Sequence, residues 1–327
     1  MSWKSKSVLV TGAGGFIGSH LAEALVRNDA KTRALLRYNS QGRKGWLEQS
    51  DLQAEIEVIW GDIREVDCIR KAVKGVDVVF HLAALIGIPY SYVSPSSYVS
   101  TNVAGTLNVL QEALHSGVSR FVHTSTSEVY GTARRIPITE DHPLQAQSPY
   151  SATKIAADKL AESFHRSFGL PISIVRPFNT YGPRQSARAV IPTIMIQALA
   201  NEPIRIGNVA PTRDFNYISD TVRGFLNVAE SEKAIGGVFN LGSGKEISIA
   251  DLARMICSLT GTEFRIILET ARVRPSESEV ERLCASSSLA EELTGWRPQV
   301  SLPEGLEKTL AWIRSSEAHR QTETYAI

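Results

Sequence analysis

The sequence predicts a doubly wound α/β fold, a parallel sheet with helices on both faces, followed by a smaller C-terminal α/β unit. Three observations lead there. From Ser7 to about Arg176, short β-rich runs alternate with helical patterns of roughly 10 to 20 residues, the rhythm of βαβ units. Most of the β-rich runs are apolar enough to be covered on both faces, as strands of a parallel sheet are. Beyond Pro177 the rhythm breaks at Pro183, Pro192, Pro203 and Pro211, where a second unit begins. At about 150 residues per domain, the 327 residues suffice for two cores.

Taken in order, the first strand is Val8-Leu9-Val10, followed by a helix near Phe16 to Arg27. Further strands are expected at Thr32 to Leu36, Ile56 to Trp60, Val78 to Phe80, Arg120 to His123 and Ile172 to Val175. Helices are expected between them near Cys68 to Val73, Tyr98 to His115 and Tyr150 to Phe168. Later helices are placed near Val190 to Ala200, Ser219 to Ala229, Ser248 to Leu259 and Pro303 to Ser315, with a polar tail from Ser316 through Thr324 that reads as frayed.

Composition narrows the function classes. Lys and Arg total 35 against 34 for Asp and Glu, a net charge of +1 that offers no field for nucleic acid or anionic lipid. A hydrophobic share of 43% and a charged share of 21% argue against extensive disorder. Cys68, Cys257 and Cys284 form no C-x-x-C pair, so a disulfide framework and a zinc knuckle are not indicated and a reducing compartment fits. No apolar run approaches the ~18 residues of a membrane span, and no cleavable leader is read at the N-terminus. The expected setting is the cytoplasm, with no nucleic-acid or membrane partner and no metal constellation.

The first strand runs into Gly12-Ala13-Gly14-Gly15-Phe16-Ile17-Gly18 and then a helix, so Gly12, Gly15 and Gly18 sit where a dinucleotide pyrophosphate meets a helix N-terminus. A Cβ at these positions would obstruct the tight turn, the approach of ligand oxygens and the helix-to-strand packing. After the second strand, Leu35-Leu36-Arg37-Tyr38-Asn39-Ser40 supplies no carboxylate for a ribose 2′-hydroxyl. Arg37, helped by Asn39 and Ser40, is the expected receiver of a 2′-phosphate, which selects NADP, with NAD as the alternative. In Tyr150-Ser151-Ala152-Thr153-Lys154 a phenol and an ammonium share one helix face. A lysine charge and an oxidised nicotinamide would both favour the phenolate of a tyrosine whose ordinary pKa is about 10.

At this point the chain resembles the extended short-chain dehydrogenase/reductases that act on nucleotide sugars, over nearly its whole length. The carrying residues are Thr11 to Gly18, Gly61-Asp62-Ile63, His81-Leu82-Ala83-Ala84, Asn102, Tyr150 with Lys154, and Arg176-Pro177-Phe178-Asn179-Thr180-Tyr181-Gly182-Pro183. The resemblance implies that Gly12, Gly15, Phe16, Ile17 and Gly18 hold the cofactor's pyrophosphate. It further implies that Asp62 and Ile63 flank adenine, and that Leu82, Ala83 and Ala84 line the phosphate and ribose path. Its implied division is a Rossmann domain over residues 1–180, with a segment returning to it at about 214–246. A substrate domain would then span 181–213 and 247–316, and 317–327 would form a tail.

Thr126-Ser127-Glu128 decides the subfamily. The trio looks like that of GDP-mannose 4,6-dehydratases and is similar to the Thr-Asp-Glu trio of dTDP-glucose 4,6-dehydratases, with serine replacing the acid; simple 4-epimerases usually lack the glutamate. More narrowly, Leu85 to Tyr92, Thr180 to Pro192 and Pro211 to Tyr217 look like the 4,6-dehydratases of legionaminic acid biosynthesis, whose substrate is a UDP- or GDP-linked N-acetylglucosamine.

The expected chemistry begins with Tyr150, relayed by Thr126, taking the 4-hydroxyl proton while the C4 hydride passes to the nicotinamide. Glu128 then removes the C5 proton and water leaves C6, protonated by Ser127, Glu128 or a bound water. The hydride returns to C6, so the cofactor stays tightly bound and is regenerated each turnover. Lys154 is expected to orient the nicotinamide ribose and hold Tyr150 ionised. Asn179, Val190, Arg213 and Arg274 are assigned to the nucleotide sugar, the alternative for the two arginines being ion pairs with Asp214 or Glu277. His81 is read as a packed or hydrogen-bonded core residue. Base recognition is expected in the loops around Gln185 to Pro192 and Ala271 to Leu283. A UDP-glucuronate decarboxylase, with Arg184 or Arg188 facing the sugar carboxylate, and a 4-epimerase remain enzymatic alternatives; a dinucleotide sensor is the non-enzymatic one. The resemblance also implies a homodimer in which the helices near Tyr98 to His115 and Tyr150 to Phe168 form a four-helix bundle.

Overall fold

A computed structural model describes residues 2–316. Seven strands make one parallel sheet: β1 (Ser7–Thr11), β2 (Lys31–Leu36), β3 (Ile56–Trp60), β4 (Val78–His81), β5 (Arg120–Thr124), β6 (Ile172–Pro177) and, far along the chain, Val238–Leu241. The helices α1 (Phe16–Arg27), α2 (Val66–Val73), α3 (Ile88–Val93), α4 (Pro95–Tyr98), α5 (Thr106–His115) and α6 (Pro149–Phe168) lie between the strands through β6. In the C-terminal half follow β7 (Asn179–Tyr181), α7 (Val190–Leu199), β8 (Ile204–Ile206), β9 (Thr212–Tyr217) and α8 (Ile218–Glu230). The seventh sheet strand is therefore β10, after which come β11 (Glu246–Ser248), α9 (Ile249–Thr260), β12 (Ile266–Leu268), α10 (Ser288–Thr294) and α11 (Leu302–Ser315).

The sheet order is β10-β6-β5-β4-β1-β2-β3. The chain winds outward from β1 through β2 to β3, then crosses back to β4 and winds the other way. The crevice at the carboxyl ends of β1 and β4 is the switch point where ligands of such sheets bind. β1 and β4 have almost no exposed residue, because helices cover both faces and every apolar side chain of these strands finds a partner. Smaller sheets, β11-β9-β7 and β12-β8, stand on the side where α7, α9 and α11 pack.

Two differences from the sequence reading bear on the site. β10 was not among the expected strands; it pairs in parallel with β6, through Val238 opposite Ile174 and Leu241 opposite Pro177. Four residues carry too little periodicity to announce an edge strand. The helix expected from Tyr98 to His115 is interrupted by a wider π-helical segment, Val99–Gly105. There Asn102 turns its amide outward from the helix, donating to Leu85 O and Thr153 Oγ1 and accepting from Leu85 N, and Gly105 lets Ile63 approach. Widened turns of this kind mark functional sites. The tail expected to fray lies, beyond Ser316, outside the described residues.

Candidate active site

The cofactor half is built where β1 turns into α1. Gly12 has φ +70, and a Cβ there would stand 2.9 Å from Ala83 N; one at Gly18 would stand 2.3 Å from Gly12 O. These contacts let the turn pass directly under Leu82-Ala83-Ala84. That segment is tied down by Thr11 Oγ1, which accepts from the backbone N–H groups of Leu82 and Ala83 at 3.1 and 3.0 Å. Thr11 also meets His81 Nδ1 at 2.9 Å, while His81 Nε2 meets Thr106, so His81 is a bonded core residue as read.

No side chain caps α1 and no acidic residue stands in its first turn. The N–H groups of Phe16, Ile17 and Gly18 therefore face outward with the positive end of the helix dipole, and a Cβ on Gly15 would meet only Gly12 O at 3.3 Å. A dinucleotide pyrophosphate fits this cradle.

At the ends of β2 and β3, Arg37, Tyr38, Trp60, Asp62, Arg64 and Cys68 line a cavity of about 620 Å³. Arg37 is exposed and makes no hydrogen bond among the described residues. Asp62 is held by Arg64, whose backbone and guanidinium both donate to it and keep its carboxyl below the usual range. Ile63 is buried against Gly105. Arg64 is a second cation beside Arg37 that sequence reasoning missed; its place next to Gly61-Asp62-Ile63 was the available signal.

The chemical half gathers at the end of β5. Thr126 caps the 3₁₀ turn Ser127–Tyr130, accepting from Glu128 N at 3.2 Å, and so fixes Glu128 relative to itself, with Ser127 buried in the same turn. Tyr150 opens α6, whose start is set by Pro149 and by a capping box between Ser148 and Ser151. The Tyr150 ring is buried and meets Tyr98 edge-on at 6.3 Å, and Thr126 is near enough to its hydroxyl to favour the phenolate. One turn on, Lys154 Nζ donates to Thr124 O at 2.6 Å.

One turn further, Asp158 is fully buried, taking bonds from Ser125 at 2.8 Å and from Arg176 Nε and Nη2 at 3.1 and 2.9 Å, with His123 Nε2 3.3 Å away. Asp158 was not anticipated as part of the site. Its signal was the four-residue step Tyr150, Lys154, Asp158 along one helix face.

Burial raises the Asp158 carboxyl, but the His123 ring 3.3 Å away and the charges of Arg176 and Lys154 outweigh it and hold the group at about 2. Burial pulls Lys154 down to about 8, opposed by Asp158. Burial also pushes Tyr150 well above its ordinary range; the neighbouring Thr126 hydroxyl counters it, and the Glu128 charge reinforces it. Lys154 was expected to hold Tyr150 ionised. Its ammonium is instead turned to the Thr124 carbonyl, and in the chain alone desolvation prevails.

The C-terminal elements add a second group of charged side chains. Arg274 Nη1 stands 3.8 Å from Glu128 Oε2, and Glu279 faces both Arg274 and Arg213. Neither arginine pairs as the alternative had it. Arg213 and Asp214 are neighbours on β9 and point to opposite faces, and Asp214 is occupied by the N–H groups of Ser243, Gly244 and Ala285. Thr126, Glu128, Tyr150, Arg213 and Arg274 are thereby joined in one chain of contacts. Asn179 lies on β7 in register with Phe215, its Oδ1 enclosed without a hydrogen bond, and Val190 opens α7 without a described contact to that chain.

A second cavity, of about 590 Å³, is lined by residues of the 184–193 stretch with Phe16, Ile86, Arg205, Arg272 and Trp312. Trp46 and Trp312, which sequence reasoning missed, meet edge-on there at 5.6 Å. Among the described residues no cluster of His, Cys, Asp or Glu is arranged for a metal.

The sequence pattern of the family described as "GDP-mannose 4,6 dehydratase" matches residues 9–309. The chain belongs to this family. Among its relatives, the dTDP-glucose 4,6-dehydratase of Streptomyces antibioticus is 32% identical over 317 residues, covering 95% of this chain and 93% of that protein. An epimerase from Methanothermobacter thermautotrophicus superposes with a TM-score of 0.89 at 32% identity, covering 98% of this chain and 96% of that one. The UDP-glucuronic acid 4-epimerase of Bacillus cereus, solved with UDP-glucuronic acid and NAD, superposes with a TM-score of 0.85 at 33% identity, covering 94% and 99%. This member of the GDP-mannose 4,6-dehydratase family is thus an extended short-chain dehydrogenase/reductase with the expected Rossmann sheet. Its solved neighbours include a protein holding NAD and a nucleotide sugar, and both dehydratases and epimerases are among its relatives.

Proposed function

We propose that the chain is a nucleotide-sugar 4,6-dehydratase that converts a UDP- or GDP-linked N-acetylglucosamine to its 4-keto-6-deoxy derivative, the step known from legionaminic acid biosynthesis. The carrying observation is Glu128, a carboxylate fixed two residues from Thr126, which lies beside Tyr150, and facing Arg274 at 3.8 Å. An epimerase has no proton for it to take.

When bound, a nicotinamide dinucleotide supplies a reversible hydride acceptor. Tyr150, through Thr126, receives the 4-hydroxyl proton; the low cost of that transfer requires the bound cofactor's positive ring, because burial alone keeps the phenol protonated. A C4 carbonyl acidifies the C5 hydrogen, and Glu128 removes it. The C6 hydroxyl leaves with a proton from Ser127, Glu128 or a water. Lys154 positions the ribose, and Arg213 and Arg274 receive the diphosphate. A decarboxylase would need a cation at the sugar carboxylate; of the two candidates for that role, Arg184 is committed to Glu23 at 2.7 Å and Arg188 lines the second cavity.

Incubation with UDP-N-acetylglucosamine, GDP-N-acetylglucosamine and UDP-glucuronate tests the reading. The expected product is a 4-keto-6-deoxy sugar from one of the first two, with C4 deuterium of the substrate recovered at C6 and solvent deuterium entering at C5. Carbon dioxide, a C4 epimer, or label lost to the medium would refute it.

NADP is the proposed cofactor, held at its 2′-phosphate by Arg37 with Arg64 alongside; the exposed Arg37 guanidinium, which makes no hydrogen bond among the described residues and shares the cavity with Asp62, supports this. Arg37→Ala is expected to weaken NADP binding roughly ten- to a hundred-fold and hardly affect NAD, as a charge-assisted contact is worth ~1.5–3 kcal/mol. Tightly retained NAD in the purified protein would reverse the assignment.

The assembly proposed is a homodimer through the 98–115 and 150–168 stretches, where α5 packs on α6 and Val99 and Phe168 stay exposed. A monomer mass by light scattering at micromolar concentration would exclude it. Among the described residues no helix is long and apolar enough to cross a membrane, and the proposed setting is cytoplasmic.

A further inference from the structure

Arg37 and Tyr38 line the first cavity, and Trp46 lines the second together with Phe16, the first residue of α1. Residues 39–46 connect the two, and where they pass the glycine turn the backbones touch. A Cβ on Gly45 would stand 2.3 Å from Gly14 O, and one on Gly14 would stand 2.8 Å from Lys44 O; Gly45 also has φ +64. Only residues without a side chain allow this approach. The Trp46 N–H closes the crossing by donating to Gly14 O at 3.0 Å.

Apart from that crossing the segment is bonded to itself. Asn39 Nδ2 donates to Arg43 O and Asn39 Oδ1 accepts from Arg43 N, both at 2.9 Å, and Gly42 N donates to Asn39 O at 3.0 Å. Ser40, Gln41, Gly42 and Arg43 are exposed. Among the described residues, the bond to Gly14 is the one hydrogen bond that 39–46 makes beyond this turn and the 3₁₀ turn Gly45–Gln49. The other fixed point is a ring. Trp46 meets Trp312 edge-on at 5.6 Å, and Trp312 is carried by α11, whose Leu306, Leu310 and Ile313 are buried in the core. The segment is thus fastened at the glycine turn and on a helix from the far end of the chain.

We propose that residues 39–46 are a strap that gates the cofactor cradle, latched on α11 by Trp46 against Trp312, and that a nicotinamide dinucleotide enters and leaves only when this latch opens. The proposal rests on the reading of Gly12 to Gly18 as the dinucleotide cradle and goes beyond it to the control of exchange.

A turn bonded to itself, with few outside attachments, moves as one piece, as lids do. The latch between the rings must break for passage in either direction. It therefore raises the barrier to entry and to release alike and leaves the affinity nearly unchanged. Slow release suits a reaction in which the hydride is taken up and returned by one bound cofactor.

The test measures both rates with NADPH and NADH as fluorescent probes. Release is followed by displacing the probe from loaded protein with excess NADP or NAD, and entry by stopped-flow mixing after the copurified cofactor has been removed. Trp46→Ala and Trp312→Ala are each expected to speed entry and release together by about tenfold, with Kd within about twofold of wild type, because the lost aromatic contact lowers one shared barrier. Trp312→Phe keeps a ring against Trp46 and is expected to stay near wild type. Gly45→Ala forces the crossing apart without touching either ring and is expected to speed both rates. Trp46 and Gly45 lie on the strap itself, so their variants test it even where loss of Trp312 disturbs α11. Faster release with unchanged entry would show that the rings merely hold the cofactor, and would overturn the gate. Unchanged rates in Trp46→Ala and Gly45→Ala would overturn it as well. Failure of the wild type to bind either dinucleotide would overturn the cradle and the gate together. The sugar enters neither rate, so failure of the dehydratase reading leaves this test standing.

Discussion

Glu128→Gln is expected to lower dehydration by ~10²- to 10⁴-fold, the usual cost of losing a general base. The amide keeps the shape of the carboxylate, and the backbone N–H of residue 128 still donates to Thr126, so the turn at the end of β5 should hold. What is lost is the anion that takes the C5 proton and faces Arg274 at 3.8 Å. Oxidation at C4 does not use this group. The variant should therefore retain cofactor and, on adding substrate, accumulate reduced nicotinamide visible by its absorbance. Near wild-type formation of the 4-keto-6-deoxy sugar would remove Glu128 from the mechanism.

Asp158→Asn is expected to destabilise the fold by ~3–5 kcal/mol, because it removes one partner of a buried ion pair and leaves the other charge uncompensated. Arg176 donates to Asp158 twice, Ser125 once, and His123 stands within 3.3 Å, all inside the core. Urea unfolding measures the loss directly. The pH dependence follows from the carboxyl being held at about 2, below its ordinary 3.8. Its contribution is present above about pH 3.8 and is lost as pH falls toward 2, so the stability gap between wild type and variant should narrow over that acid window. A variant as stable as wild type at pH 7 would mean that Arg176 and His123 find other partners.

Much of the candidate cofactor cradle was legible because its parts are close in sequence. Gly12, Gly15 and Gly18 act over one turn, and the tight contacts of Gly12 and Gly18 are consequences of backbone geometry that any chain with this strand-turn-helix sequence must satisfy. Tyr150 and Lys154 lie one helical turn apart, and Thr126 and Glu128 are fixed by the cap of a single short turn. Local spacing also placed six of the seven strands of the sheet, since strands buried on both faces are written as apolar runs.

Charge partners followed a different logic. Arg213 and Arg274 were assigned to the nucleotide sugar, with ion pairs to Asp214 or Glu277 as the alternative; their charged partners are instead Glu279 for both and, for Arg274, also Glu128, nearly 150 residues before it. Alternation along β9 sends Asp214 to the face opposite Arg213, and the packing of the 275–279 segment against Gln147 brings Glu279 in. Lys154 was read with the correct helix face, but the direction of its ammonium was decided by the end of β5 lying beneath it. β10 became a strand because β6 offered it an open edge. Short-range order is written in consecutive residues, whereas the pairing of charges and the desolvation that shifts their protonation depend on which distant segments the packed core brings together.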